Sequence, residues 1–283
     1  MCAVALLGML GWDRTAGTRR TNQHLGAYLA KQLLIYENAT PVTRARHGSL
    51  SVKTGNAFAF AAETNSVPLM AAEFAQVASD MAIVFAAAGD EVIPAVLLGI
   101  RENENLFVDK TGAWQGKYVP AFLRRYPFVF SSSDDGQNFT LCIDESFEGA
   151  NNDGRGERLF DADGEQTQYL KSVLGFLQAY QVQFQRTKEL CRRLREMNLL
   201  EPMEARFTLR GGRTLMLSGF ELVSREKLRA ISPEQLSTLF ASEDLELIYL
   251  HIPSMRNLQA TAERLGVLPD EATEKAGEPA VAF

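Results

Sequence analysis

Histidine and cysteine are scarce in this chain, three of each among 283 residues. The cysteines, Cys2, Cys142 and Cys191, are too few and too scattered for a disulfide framework, and none forms a CxxC pair. Cys142 alternates with apolar neighbours in FTLCID as a strand residue does, and Cys191 lies on a helical stripe. Both read as small buried hydrophobes, and a reducing compartment is the simpler setting. The histidines, His24, His47 and His251, give no HxD, HxE or HExxH spacing. A metal site would have to be a triad of His47, His251 and a distant carboxylate such as Glu73, which the sequence permits without suggesting.

Other signatures are missing as well. There is no Walker-type phosphate loop, no GxGxxG after a strand and no GxSxG, so neither nucleotide binding by a familiar loop nor a hydrolase elbow is indicated. Ser66 and Ser254 have no identifiable base beside them. No apolar run approaches the roughly 20 residues of a membrane span. The opening MCAVALLGML lacks a basic n-region and a small-x-small cleavage site. A cytoplasmic protein is expected, with export left open. A basic excess is also lacking: the net charge of −6 and pI near 5.3 argue against nucleic acid or an anionic membrane as the main partner.

What is present is an ordinary globular composition, 46% apolar and 23% charged, enough to bury a sizeable core. Short apolar runs at Ser49–Lys53, Met81–Ala86, Val92–Ile100, Asn105–Asp109, Phe128–Ser131 and Phe139–Ile143 read as strands. Asp109-Lys110-Thr111-Gly112 reads as a turn. Two helical pieces interrupt them, Leu69–Ser79 and a short turn over Val119–Arg125 opened by Pro120. Glu145–Glu165 is polar, Gly-rich and acidic, an expected exposed connection. Leu170, Val173, Leu174, Leu177, Tyr180, Phe184, Thr187, Leu190, Cys191, Leu194 and Met197 then recur at three- and four-residue spacing, predicting one long amphipathic helix over Gln168–Met197, bracing a sheet or bending near Gly175. A hairpin across Gly211-Gly212 follows. Ser224, Ser232-Pro233-Glu234-Gln235 and Ser254 are the start signals of further helices.

Strands interspersed with helices, without regular βαβ alternation, give the fold class α+β: mainly antiparallel strands in the N-terminal half, then the long helix, the hairpin and short helices. Residues 33–265 are taken as one domain, with a split near residue 150 as the alternative, 1–32 a poorly ordered extension and 266–283 a disordered acidic tail.

The densest stretch is Leu97–Phe130. It carries Arg101, Trp114, Tyr118, Arg124, Arg125 and Tyr126 inside an otherwise core-like run. Charges interleaved with core residues need partners. The bland arrangement pairs the arginines with Glu102, Glu104 and Asp109. The functional one gathers guanidinium and rings into a pocket for an anionic small molecule or a peptide carboxylate, or into a protein-binding hot spot. Asp161-Ala162-Asp163-Gly164 imitates a calcium loop, but in the EF-hand register Leu159 and Leu170 fall where oxygen ligands belong, so it reads as a solvated turn.

PVTRARHGSLSV (41–52), AETNSVPLMAAEFAQVASDMAIVFA (62–86), LLGIRENENLFVDKTGAWQGKYVPAFLRRYPFVF (97–130), LFDADGE (159–165) and LELIYLHIPSMRNL (245–258) together resemble the SapC family of bacterial proteins. The chain departs from that pattern at Met81-Ala82, where the family more often has Tyr-Pro. The resemblance implies a bacterial protein associated with surface-layer protein or its handling. It brings no assigned catalytic residue and no cofactor. Two functions are carried forward. One is an accessory or binding protein whose partner, a protein or an anionic small molecule or peptide, meets the Arg101–Tyr126 cluster. The other is a small-molecule- or peptide-modifying enzyme with an arginine-rich anion pocket, with or without a metal at His47 and His251.

Overall fold

The computed structural model describes residues 2–3, 35–88, 91–132, 138–208 and 214–265. The expected extension and tail, apart from Cys2–Ala3, and the Gly211-Gly212 turn lie outside these residues.

The centre is an apolar hairpin, β5 (Ile83–Ala88) and β6 (Glu91–Leu97), joined antiparallel from Ile83↔Val96 to Ala88↔Glu91. Because its strands are buried on both faces, they read as continuous apolar runs instead of alternating ones. Ile83, Phe85 and Val96 enter one core; Val84, Ala86, Ala95 and Leu97 enter another on the opposite face. β4 (Ser66–Pro68) adds to β6 and ends where Pro94, lacking an N–H, interrupts the ladder. On the other side β5 meets β12 (Thr214–Val223), which forms the long hairpin with β11 (Leu200–Thr208) and also takes β1 (Cys2–Ala3) in parallel. The hairpin expected around Gly211-Gly212 is thus present and longer than its alternating core suggested. Among the described residues β11 pairs with β12 alone, and a bulge lies between Met203 and Ala205.

Two smaller sheets stand apart. β2 (Ala39–Pro41), β8 (Phe139–Asp144) and β7 (Phe128–Ser132) form one, and β10 (Glu157–Arg158), β3 (Ser51–Val52) and β9 (Ala150–Asn151) form the other. The polar segment Glu145–Glu165 is therefore more than an exposed connection: it supplies two strands and buries Leu159 and Phe160. Asn105–Asp109 is no strand, only a single bridge between Val108 and Trp114. The turn after it is as expected, with Gly112 at φ 82° and the Asp109 carboxylate accepting from the Thr111 and Ala113 amides.

After α1 (Arg44–His47), the Leu69–Ser79 helix resolves into a 3-10 turn, Ala71–Glu73, continued by α2 (Phe74–Val77). α3 (Ala121–Arg124) follows Pro120. α4 is one continuous helix, Gln168–Glu196, capped by the Thr167 hydroxyl. At about 1.5 Å per residue it spans roughly 43 Å. Its first turns bury Leu170 and Leu177 over the small sheets, and its last turns bury Leu190, Cys191 and Leu194 on the main core. α4 bridges two cores, and its middle lies at the seam. α5 (Arg225–Arg229) starts at Ser224, and α6 (Pro233–Ala241) at a Ser232/Gln235 capping box. The apolar run Leu245–Leu250 belongs to α7 (Asp244–Ser254), and α8 (Asn257–Arg264) starts three residues after Ser254, which closes a helix instead of opening one. No helix among the described residues is long and apolar enough to cross a membrane.

Candidate binding cleft

At the α4 seam lies a cleft of about 230 Å³, between the 3-10 turn, the Tyr118–Arg124 segment and one face of α4. Met70, Phe176 and Tyr180 form much of its apolar wall, while Glu73, Arg124 and Gln183 bring polar atoms to it.

Glu73 organises one side. It is 5% exposed. Its Oε1 accepts from the Ala121 amide at 2.6 Å and the Tyr118 hydroxyl at 2.9 Å, and its Oε2 accepts from the Met70 amide at 3.0 Å. Burial pushes its carboxyl upward, and the two amides, the Tyr118 hydroxyl and the Arg124 charge pull the other way. Tyr118 in turn is pushed up to about 12 by burial and by the Glu73 charge, so it stays a donor to Glu73 while accepting from Arg124 Nη2 at 2.8 Å. The carboxylate is fully engaged in fastening residues 70–73 to residues 118–121.

Arg124 faces outward from this clamp. Nε donates to the Val119 carbonyl at 2.9 Å, and the guanidinium lies 5.4 Å from the Tyr118 ring centre and 5.3 Å from that of Phe176. Glu73 Oε1 is 4.0 Å away, and the side chain remains 42% exposed. Its Nη1 hydrogen-bonds to none of the described residues, and the side-chain oxygen of Gln183, buried in the same cleft, has no donor. No serine, threonine, cysteine or histidine lines the cleft. The arrangement can hold an anion against an apolar wall.

The structure splits the cluster that the sequence assembled. Tyr118 and Arg124 line the cleft. Trp114 packs on Phe107 and Phe58 and donates from Nε1 to the Tyr118 carbonyl at 3.0 Å. Arg101 pairs with Glu104 at 3.3 Å and does not reach the cleft, as the bland arrangement foresaw for that residue alone. Arg125 is 3% exposed, with its guanidinium 4.2 Å from the Phe122 ring centre and 5.1 Å from that of Tyr180. Tyr126 stacks on Phe60 at 4.0 Å, and its hydroxyl reaches Asp144 at 3.4 Å. The idea of one water-facing surface through all six residues is therefore corrected: a chain alternating between core and surface every residue or two sends neighbouring arginines in opposite directions.

The metal candidates do not converge either. Nδ1 of His47 accepts from the Thr43 amide at 3.1 Å and Nε2 faces Glu145 Oε1 at 3.1 Å. His251 Nδ1 donates to the Ile83 carbonyl at 2.9 Å, Nε2 accepts from the Val223 amide at 3.1 Å, and burial holds its pKa down at about 4. With Glu73 committed as described, the three share no partner, and no group of three ligating side chains occurs among the described residues. Ser254 donates to the His251 carbonyl at 2.6 Å, not to its ring, so no serine–histidine pair forms. Cys142 and Cys191 are free and buried, the Cys191 thiol pushed up to about 12 by burial.

Sequence reasoning missed Phe176 and Gln183. A signal existed for the first, an aromatic residue one position off the apolar stripe of α4. Nothing marked the second.

The SapC family model matches residues 42–260, which takes in every element just described except β1, β2 and the end of α8. The chain belongs to the SapC family. No curated protein and no solved structure matches it.

Proposed function

We propose that this chain is a non-catalytic binding protein, a cytoplasmic accessory in bacterial surface-protein handling, that receives an anionic partner group at Arg124. The observation that carries the reading is the Arg124 guanidinium, fixed over two rings, half open to water, and with Nη1 hydrogen-bonded to none of the described residues. Arginine forks of this kind hold carboxylates with two parallel hydrogen bonds. Binding is favoured over chemistry because Glu73, the one carboxylate among the residues lining the cleft, already accepts three hydrogen bonds, and no serine, threonine, cysteine or histidine lines it beside Glu73. Family membership supports the link to surface protein.

Two measurements test this reading. Calorimetric titration with glutarate, a bare dicarboxylate, should show binding that Arg124→Ala abolishes while the melting temperature stays near that of the parent. In the bacterium, deletion of the gene should lower the surface-layer protein at the cell surface, restored by the parent chain and not by Arg124→Ala. Undiminished surface protein in the deletion strain defeats the assignment.

A further inference from the structure

Resting on the anion-binding reading of Arg124, we infer that the cleft takes the last residue of a peptide: an N-acylated apolar α-amino acid with a free carboxylate. Three features of the wall point to that unit, and it presents all three from one α-carbon. Arg124 lines the cleft and its Nη1 hydrogen-bonds to none of the described residues, so a carboxylate meets a guanidinium edge already held in plane by Tyr118, Val119 and Phe176. The Gln183 side-chain oxygen, sealed from water at the cleft wall, accepts from none of the described residues, a costly state that an incoming amide N–H relieves once the side chain turns toward it. Met70, Ala121, Phe176 and Tyr180 offer an apolar surface for a side chain.

Size narrows the choice. At about 230 Å³ the cleft is smaller than the roughly 300–1,000 Å³ that encloses a whole drug-sized ligand. One residue fits and the rest of its chain lies outside. A free amino acid is disfavoured by charge. Its ammonium would approach the Arg124 guanidinium, while Glu73, the one carboxylate among the lining residues, is turned toward two amides and a hydroxyl. Acylation removes that charge and keeps the N–H that Gln183 needs. A bare dicarboxylate satisfies Arg124 alone and leaves both Gln183 and the apolar wall unused.

The test is calorimetry on the full chain with acetyl-Ala-Phe as the free acid, the same peptide as its C-terminal amide, free phenylalanine and glutarate. The acid should bind about tenfold or more tightly than the amide, as expected for loss of a charge-assisted pair. Arg124→Ala should erase that preference, and Gln183→Leu should weaken the acid about fivefold with the preference intact. Equal affinity for acid and amide overturns the inference, as does free phenylalanine binding as tightly as the acid. If glutarate binds in an Arg124-dependent way and the peptide acid binds no better, the peptide end is wrong and the anion cleft stands. If nothing binds, both fall together.

Discussion

Acid should weaken this protein through His251, and the geometry says by how much. In the ladder between β5 and β12 the paired residues are Phe220↔Ala86 and Glu221↔Phe85. Continued by two more steps, that register would bring Val223 opposite Ile83. Instead the imidazole stands between them, accepting from the Val223 amide and donating to the Ile83 carbonyl. Only the neutral ring can do both. Burial accordingly lowers its pKa from 6.5 to about 4, with the Ile83 hydrogen bond opposing weakly. A depressed folded-state value means that the unfolded chain takes up the proton first as pH falls. Stability from this group is whole above about pH 6.5 and is lost as pH drops toward about 4. Each pH unit in that window removes about 1.4 kcal/mol, roughly 3 kcal/mol in all. At 1% exposure the ring has almost no solvent to screen it. Glu73 works in the opposite sense, since its carboxyl is raised on folding and gains from acid. A comparison with His251→Leu isolates the imidazole. At about pH 7.5 the variant, leaving a buried amide and carbonyl unpaired, should be less stable by about 2–4 kcal/mol. Urea unfolding at intervals down to about pH 4.5 should show the parent falling toward the variant. Parallel curves across that range, or an imidazole titrating near 6.5 by NMR, would refute the reasoning.

Four substitutions separate surface from core. Arg125→Ala should cost about 3 kcal/mol by emptying the space between Phe122 and Tyr180, whereas Arg124→Ala should cost under about 1 kcal/mol; thermal unfolding of the pair decides, and equal losses contradict the placement of both. Thr187→Val removes a buried hydroxyl that accepts from the Ala71 amide at 2.9 Å and donates to the Gln183 carbonyl at 2.7 Å, so urea unfolding should show a loss of about 1–2 kcal/mol. Gly99→Ala would set its Cβ 1.9 Å from the Glu104 carbonyl oxygen, and a destabilisation of about 3 kcal/mol is expected on denaturation, with a neutral outcome showing that the 99–104 loop is placed differently.

Local signals were the readable part of this chain. The α4 stripe, the Ser232 capping box, the Gly112 turn and the hairpin flanking residues 209–213 each depend on neighbours within a few positions, and all four elements are where periodicity and cap chemistry put them. What escaped depends on distance along the chain. Glu73 meets Tyr118 across 45 positions, and His251 meets Ile83 across 168. The small strands β9 and β10 were masked by their polar composition, because short edge strands owe their pairing to β3 more than to any apolar pattern of their own. Leu245–Leu250 was ambiguous for a different reason: a brief apolar run fits a buried strand or a helix equally, and the helix shows only with its flanks. At the cleft, arginine and tyrosine marked one of the segments that line it, but which guanidinium turned outward required the short α3 turn, where one residue's shift rotates a side chain by about 100°.

The β11 strand has a consequence for how the molecule behaves in a crowded solution. Glu201, Pro202, Glu204 and Arg206 face water along it, and the irregularity between Met203 and Ala205 breaks the regular spacing that an incoming chain would need to copy. Proline withholds a donor and the carboxylates repel one another's copies, so edge-to-edge growth of the sheet into fibres is discouraged along this border.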